Sequence, residues 1–401
     1  MRILVADAFE GVEELRAAGH EVVDEPAAGP DDLPRLLDGV EALVVRSTRV
    51  DAETIAAAPE LSLIVRAGAG TNTIDTDAAA ARGIYVCNTP GENSIAVAEL
   101  ALGLILAIDR SIPDNVADLR AGRWDKARYS EARGLAGRSL AIIGCGDIGL
   151  ALAERAAACA MRVRTLDRPG RDAVTRERIR AIGIELVDDL PTLLATADVV
   201  SLHVPATPGT EDLVDEEFLS HLRPGTWLIN TSRGSVVDEE ALLAAIEDKD
   251  LRVGLDVYRG EPDAKRADGW EHPLAQHPAV TGTHHIGAST EQAQEAIAAA
   301  TLRVIAAYTE GEVINCVNLA TVALGASTLV VRHYDRVGAL SAVFEVLRAH
   351  QVNVEQMDNR VFAGARAAVA TMRVSAGVTD AVLDALRGLD AVISVSSRGE
   401  D

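Results

Sequence analysis

Arginine, carboxylate and histidine side chains follow one another in the second half of the chain, close to the ends of apolar runs. Arg233 stands in LINTSRG and Glu261 in GLDVYRGEP. Two adjacent histidines, His284 and His285, follow in GTHHIG. An arginine fork can bind a carboxylate and a carbonyl oxygen, and an imidazole that titrates near neutrality can exchange a proton with that oxygen. These residue types fit the interconversion of a 2-hydroxy acid and a 2-oxo acid.

The adjacent histidines leave open which of them exchanges the proton. Neighbours on an extended segment face opposite ways, so we expect only one imidazole to point into a cleft. Ser289 and Gln292 have the spacing of a capping box, which predicts that a helix starts just after the histidines. This pattern alone does not choose between His284 and His285.

An apolar strand followed by glycines predicts a dinucleotide site. LAIIGCGDIG places Gly144, Gly146 and Gly149 in a G-x-G-x-x-G that opens a helix. Glycines allow the tight turn, the close approach of a pyrophosphate and the packing of the helix on the strand. The next strand, RVRTL, leads to Asp167, whose carboxylate can bind the ribose hydroxyls of NAD and repel a 2′-phosphate. NAD is therefore predicted over NADP.

Composition narrows the partners and sites that we expect. The chain has 401 residues and a net charge of −23, which disfavours nucleic acid and anionic membranes as partners. Its four cysteines lack metal-ligand spacing, so no metal site is predicted and the thiols are expected to be reduced. The longest apolar run, residues 100–108, is too short to span a bilayer and predicts a buried helix. We expect a soluble, cytoplasmic protein.

Strand-like and helix-like runs divide the chain into three parts. They alternate from residue 1 to about 87 and again from about 139 to 283, which is typical of two parallel-sheet units. Residues 326–401 show the order strand, helix, strand, strand, helix, strand, which is the βαββαβ order of a ferredoxin-like domain. The chain is long enough for two or three domains.

These motifs, in this order, resemble the D-2-hydroxyacid dehydrogenases. Further stretches that carry the resemblance are VVRST, RAGAG, NTPGENSIAVAE, GRW and HVPATPGT, so that it covers residues 42–320. It implies a flavodoxin-like substrate domain, residues 1–90 and 287–318, with a Rossmann NAD domain, residues 91–286, inserted into it. The tail, residues 326–401, resembles an ACT domain, a regulatory module that binds amino acids. The predicted fold class is therefore α/β, with two doubly wound parallel sheets and an added ferredoxin-like domain.

The resemblance also assigns roles to single residues. It implies that Arg233 binds and polarises the substrate and that Glu261 pairs with the acid–base histidine. That histidine is His285, whereas His284 stands where the family usually has proline. The residues implied for NAD binding are Gly144, Gly146, Asp147, Ile148, Gly149, Asp167, His203, Pro205, Thr207, Thr231, Ser232, Asp256 and Gly287.

A dehydrogenase of this kind with an ACT-like tail resembles the members of the family that oxidise 3-phospho-D-glycerate to 3-phosphooxypyruvate, the first step of L-serine biosynthesis. On so acidic a chain, a phosphorylated 2-hydroxy acid needs local positive charge. We expect its carboxylate and phosphate to be held at strand ends of the first parallel-sheet unit. The predicted substrate-binding residues are Arg46, Ser47, Arg66, Ala69 and Gly70.

The tail adds a predicted effector, and two other functions stay open. His333, Asp335 and Asn353 match positions that bind serine in ACT domains, which predicts L-serine as an effector. The resemblance favours a homodimer or homotetramer. One alternative function is the reduction of glyoxylate, hydroxypyruvate or the oxo form of another D-2-hydroxy acid. The other is NAD(H) sensing without catalysis.

Overall fold

A computed structural model describes residues 1–262, 266–320, 325–375 and 377–399. The chain divides into two compact units, Met1–Asn318 and Leu319–Asp401. The first unit contains two parallel sheets, and the second contains one antiparallel sheet. This division does not test the predicted boundaries near residues 90 and 286, which stay predictions.

The first sheet is built from short apolar strands that helices cover. Its order is β2-β1-β3-β4-β5, all parallel, which is the flavodoxin-like order. The elements are β1 (Arg2–Val5), α1 (Val12–Ala17), β2 (Glu21–Asp24), a 3₁₀ turn (Pro30–Asp32), α2 (Leu33–Leu36), β3 (Ala42–Val45), α3 (Ala52–Ala56), β4 (Leu63–Arg66), α4 (Thr76–Ala81) and β5 (Tyr85–Asn88).

The second sheet has seven parallel strands, and the strand order reverses next to the glycine turn. Its order is β12-β11-β10-β9-β6-β7-β8, the Rossmann order with one further strand. The elements are α5 (Ser94–Arg110), α6 (Ile112–Arg120), β6 (Ser139–Ile143), α7 (Asp147–Ala158), β7 (Arg162–Leu166), α8 (Ala173–Ile182), β8 (Glu185–Val187), α9 (Leu190–Ala195), β9 (Val199–Leu202), α10 (Glu216–Ser220), β10 (Trp227–Asn230), a 3₁₀ turn (Gly234–Val236), α11 (Glu239–Lys249), β11 (Arg252–Leu255), α12 (Pro273–Gln276) and β12 (Val280–Gly282).

The helix after the second sheet returns to the first one. This helix, α13 (Glu291–Thr309), buries Ile297 and Val304 in the same core cluster as Ile3 of β1. Thr290 caps it, because the Thr290 hydroxyl accepts from the amide of Ala293. The predicted capping box that starts from Ser289 is therefore wrong, since Ser289 belongs to the turn before the cap.

The predicted buried helix within residues 100–108 is part of α5, which packs against α7 and against strands β10 and β11. In the described part of the chain, no helix is long and apolar enough to cross a membrane. The cytoplasmic location stays a prediction.

The second unit has the predicted ferredoxin-like topology. Its elements are β13 (Ser327–Tyr334), α14 (Ala339–Ala349), β14 (Val354–Val361), β15 (Ala367–Val374), α15 (Asp380–Arg387) and β16 (Val392–Gly399). The sheet order is β14-β15-β13-β16, all antiparallel. Leu329 and Met372 on the sheet and Val343 and Leu386 on the helices form its core. The predicted fold class is confirmed for both units.

Strand ends position the residues that were predicted to do chemistry. Parallel strands bring their carboxyl ends to one edge of a sheet. Arg46 follows β3 and Arg66 ends β4 in the first sheet. Arg233 follows β10, Glu261 follows β11, and His285 follows β12 in the second.

Candidate active site

The side chain of Asn230 holds the turn that carries Arg233. The Oδ1 atom of Asn230 accepts from the amide and the hydroxyl of Ser232, at 3.0 and 2.7 Å, and its Nδ2 donates to the carbonyl of Arg233 at 2.9 Å. The next residue, Gly234, lies against the main chain of Tyr258, where an added Cβ would be 2.2 Å from the carbonyl carbon. Only glycine permits this approach, and it brings Arg233 towards the segment that carries Glu261.

Glu261 and His285 form a hydrogen-bonded pair. The Oε2 of Glu261 lies 2.6 Å from Nδ1 of His285, and Oε1 accepts from the amide of Tyr258 at 2.7 Å. Burial acts to raise the pKa of Glu261, but these two hydrogen bonds and the charges of His285 and Arg233 outweigh it and leave the pKa below its ordinary value. An ionised carboxylate only accepts hydrogen bonds, so Nδ1 donates and Nε2 is left to exchange protons.

The segment before α13 places His285 rather than His284 on Glu261. Its main chain is left-handed at His285, with φ of 51°, so the expectation of an extended segment through both histidines is wrong. The amide of His285 donates to the carbonyl of Asp256 at 2.8 Å. His284 is exposed to solvent.

Asp256 is buried and ties this segment to β11. Its carboxylate accepts from the Thr283 hydroxyl at 2.6 Å and from the amides of Ile286 and Gly287 at 2.8 Å each. Asp256 therefore positions the histidine segment. The binding of NAD by Asp256 and Gly287 stays a prediction.

Arg66 and Arg233 lie against the turn that follows β4, and Arg46 is near enough for its charge to act on Arg66. An added Cβ at Gly68 would be 1.6 Å from Nη1 of Arg66, and one at Gly70 would be 2.3 Å from Nη2 of Arg233. Because glycine has no side chain, Gly68 and Gly70 leave room for two guanidinium groups. Burial lowers the pKa of Arg66 to about 10, and the charges of Arg233 and Arg46 contribute to this shift. Like charges this close favour a bound anion.

The arginine cluster is short of acceptors inside the protein. The buried Nε of Arg66 has no hydrogen-bond partner among the described residues. Arg233 is largely buried as well, and burial lowers its pKa although the charge of Glu261 opposes this. Its Nη1 donates to the Ser232 carbonyl at 2.7 Å. An anionic substrate can supply the acceptor that Nε of Arg66 lacks.

Asp7 holds the loop that carries Arg46, and the sequence interpretation missed it. The carboxylate of Asp7 accepts from the amides of Arg46, Ser47 and Thr48 at 2.8 to 3.0 Å and from the Ser47 hydroxyl at 2.9 Å. Burial acts to raise the pKa of Asp7, but these hydrogen bonds prevail and lower it. The Ser47 hydroxyl is thereby occupied, and its predicted contact with substrate stays a prediction.

The end of β5 supports the turn that includes Ala69 and Gly70. The side-chain amide of Asn88 donates to the carbonyl of Ala69 at 2.5 Å, and the amide of Thr89 donates to the carbonyl of Gly68 at 3.0 Å. Both bonds use carbonyl groups, and neither uses an amide of this turn. Binding of substrate by Ala69 and Gly70 stays a prediction.

The glycine turn after β6 fits a dinucleotide. An added Cβ at Gly144 would be 2.3 Å from the carbonyl oxygen of His203, and one at Gly149 would be 2.3 Å from that of Gly144. The space at Gly146 is open within 4 Å. Two glycines therefore serve close packing and the third leaves room for a pyrophosphate at the start of α7. Ile148 lies within the first turn of α7.

Charges near this turn are paired on the protein surface. The carboxylate of Asp147 lies 3.3 Å from Nη1 of Arg178 on α8, which offsets its negative charge. Asp167, at the end of β7, is half exposed, and its nearest cation is Arg171 at 3.8 Å. The predicted contacts of Asp147 and Asp167 with NAD stay predictions.

The remaining residues predicted for NAD follow β9 and β10. The ring of His203 is neutral near pH 7, because burial lowers its pKa to about 4, and its Nε2 lies 2.9 Å from the Ser201 hydroxyl. The buried hydroxyl of Thr231 has no hydrogen-bond partner among the described residues, whereas the hydroxyl of Ser232 donates to Oδ1 of Asn230. Pro205 and Thr207 lie on an exposed loop.

The predicted effector residues lie in the second unit. His333 is buried, with Nδ1 2.9 Å from the carbonyl of Tyr334 and Nε2 3.1 Å from Oδ1 of Asn359. Asp335 is exposed, and the side chain of Asn353 donates to Glu355 at 3.0 Å. The ring of His333 is thus occupied within the unit, and serine binding stays a prediction.

Comparison with known proteins defines the family. Residues 102–287 match the model of the NAD-binding domain of the D-isomer specific 2-hydroxyacid dehydrogenases. Over 271 residues the chain is 38% identical to the hydroxypyruvate reductase of Thermotoga maritima. The aligned region covers 67% of this chain and 84% of that protein. The chain belongs to the D-isomer specific 2-hydroxyacid dehydrogenases, and its cofactor is NAD.

Further relatives are similar over most of the chain. It is 39% identical over 298 residues to the D-3-phosphoglycerate dehydrogenase of Archaeoglobus fulgidus. The aligned region covers 73% of this chain and 54% of that protein. The chain thus spans about half the length of such curated relatives. The crystal structure of the TT0316 protein from Thermus thermophilus has a TM-score of 0.68 and 33% identity, and covers 79% of this chain and 100% of that one.

Proposed function

We propose that the protein oxidises 3-phospho-D-glycerate to 3-phosphooxypyruvate with NAD, the first step of L-serine biosynthesis. The observation that carries this proposal is that Arg66 and Arg233 lie against the turn that includes Gly68 and Gly70, with Arg46 near enough for its charge to act on Arg66. Three guanidinium groups exceed the need of a single carboxylate. They suit a substrate with both a carboxylate and a phosphate.

In this proposal, Arg233 holds the carboxylate and the C2 oxygen, since it lies against the same turn as Arg66 and its charge also acts on Glu261. His285 takes the proton of the C2 hydroxyl at Nε2. Glu261 keeps the imidazole in place through Nδ1 and stabilises the charge that the ring gains. NAD, when bound at the glycine turn, would supply the acceptor for the hydride of C2.

The similarity to proteins named D-3-phosphoglycerate dehydrogenase agrees with this substrate. A second candidate substrate is hydroxypyruvate, because the relative of which the chain covers 84% is named hydroxypyruvate reductase. The two candidates differ in the phosphate group. An unphosphorylated substrate leaves part of the arginine charge without a partner.

Initial rates of NADH formation with 3-phospho-D-glycerate and with D-glycerate test the proposal, since these substrates differ only in the phosphate. We expect kcat/KM to be roughly 10²- to 10⁴-fold higher for the phosphorylated one, the value of about two charge-assisted hydrogen bonds. Equal values would favour the hydroxypyruvate alternative. Binding of NAD without turnover of either substrate would favour NAD(H) sensing.

A further inference from the structure

Two cysteines that play no part in the proposed reaction lie side by side. Cys87, in β5, and Cys316, after α13, form an isolated antiparallel bridge. Burial raises the pKa of the Cys87 thiol to about 12, and the neighbouring thiol of Cys316 contributes to this rise. Cys87 is buried, whereas Cys316 is partly exposed.

The main-chain hydrogen bonds define the geometry of this bridge. The amide of Asn88 donates to the carbonyl of Asn315 at 3.2 Å, and the amide of Val317 donates to the carbonyl of Val86 at 2.8 Å. These bonds flank the cysteines, which therefore form a non-hydrogen-bonded pair. Such pairs have Cα atoms about 4.5 Å apart and closely spaced side chains. Disulfides require Cα separations of roughly 4.4 to 6.8 Å.

We propose that Cys87 and Cys316 are a modification site, at which hydrogen peroxide converts the two thiols into a disulfide. Cys316, whose thiol donates to Oδ1 of Asn318 at 3.1 Å, reacts first, because it is partly exposed whereas Cys87 is buried. Its thiolate attacks one peroxide oxygen, the O–O bond breaks, and a sulfenic acid and one water result. The sulfur of Cys87 then attacks that of Cys316, the S–S bond forms, and a second water leaves with the proton of Cys87. Two thiols are oxidised while one peroxide is reduced to two waters.

The disulfide joins the two points at which the chain leaves and re-enters the first sheet. The whole of the second sheet lies between them in the chain. A crosslink that closes so long a loop stabilises the folded state, largely by restricting the unfolded chain. It also lies next to Asn88, whose side chain holds the Ala69 carbonyl, so it restrains the turn beside the arginine cluster.

Mass spectrometry of the full chain tests this proposal. The native protein is treated with hydrogen peroxide, alkylated and digested without a reductant. We expect a linked pair of peptides that contain Cys87 and Cys316, two hydrogens lighter than the free peptides and separated by dithiothreitol. We also expect the oxidised protein to have a higher unfolding temperature, and this increase to be reversed by the reductant.

Variants separate the pair from the other thiols. Cys316→Ser is expected to abolish both the linked peptides and the rise in unfolding temperature, whereas Cys159→Ser keeps both. If Cys316→Ser does not fold, the digest of the unmodified chain still decides the linkage. Recovery of both cysteines as alkylated thiols, or of Cys316 as a sulfinic acid beside a free Cys87, would overturn the proposal.

Discussion

Gly234 lies so close to Tyr258 that a Cβ on Gly234 would be 2.2 Å from the Tyr258 carbonyl carbon. This contact joins the turn of Arg233 to the turn whose amide holds Glu261. We expect Gly234→Ala to separate the two turns and to lower kcat/KM roughly 10²-fold, the cost of a displacement of about 1 Å in a catalytic group. Steady-state kinetics and circular dichroism check this. Gly103→Ala, in an exposed part of α5 with open space around it, is the control and should keep full activity.

The two adjacent histidines are expected to differ sharply in importance. His285→Ala should lower turnover roughly 10² to 10⁴-fold, because the group that exchanges the proton is lost. His284→Ala should change turnover little, since Glu261 is hydrogen-bonded to His285 and not to His284. Stopped-flow measurement of NADH formation compares the two variants. Similar losses in both would contradict the assignment of His285.

Arg46 is expected to serve the substrate and not the cofactor. Arg46→Ala should raise KM for 3-phospho-D-glycerate roughly 10- to 100-fold, the value of one charge-assisted hydrogen bond, and leave KM for NAD nearly unchanged. The matched control is Arg49→Ala, which removes an exposed arginine from the same loop. A rise in KM for NAD of the same size would show that Arg46 acts on the cofactor or on the whole fold.

Asp7 makes part of the stability depend on pH. Its pKa is lowered in the folded protein, so its contribution is complete above the unfolded pKa of about 3.9 and is lost as the pH falls through the folded value. Asp7→Asn should lower the free energy of unfolding by roughly 1 to 3 kcal/mol near pH 7. We expect the difference from the unmodified chain to stay constant down to about pH 5 and to shrink below about pH 4.

Urea unfolding at a series of pH values checks the behaviour of Asp7. The control is Asp31→Asn, an exposed aspartate whose removal should have little effect at any pH. A difference between Asp7→Asn and the unmodified chain that grows as the pH falls would have the wrong sign. The carboxylate would then not be held in its ionised form by the loop.

The motifs and their order were sufficient to predict the chemical class and the three-part fold. Strand ends, glycine spacing and the alternation of apolar runs are local properties, so they can be recognised without coordinates. The choice of His285 over His284 came from the resemblance to a family and stays a prediction. The extended segment assumed for the histidines is absent. The predicted cap at Ser289 also failed, since Thr290 competes for the same role one residue later.

The sequence by itself determined which residue types stand at the strand ends. Those residue types were enough to indicate a dehydrogenase with a glycine turn for NAD. Only the tertiary structure decided how those ends meet. Asp7 and Asp256 hold their loops through hydrogen bonds that span separate segments, and sequence spacing contains no sign of them. The pairing of Cys87 with Cys316 arises in the same way, because the chain returns to its first sheet only after the second is complete.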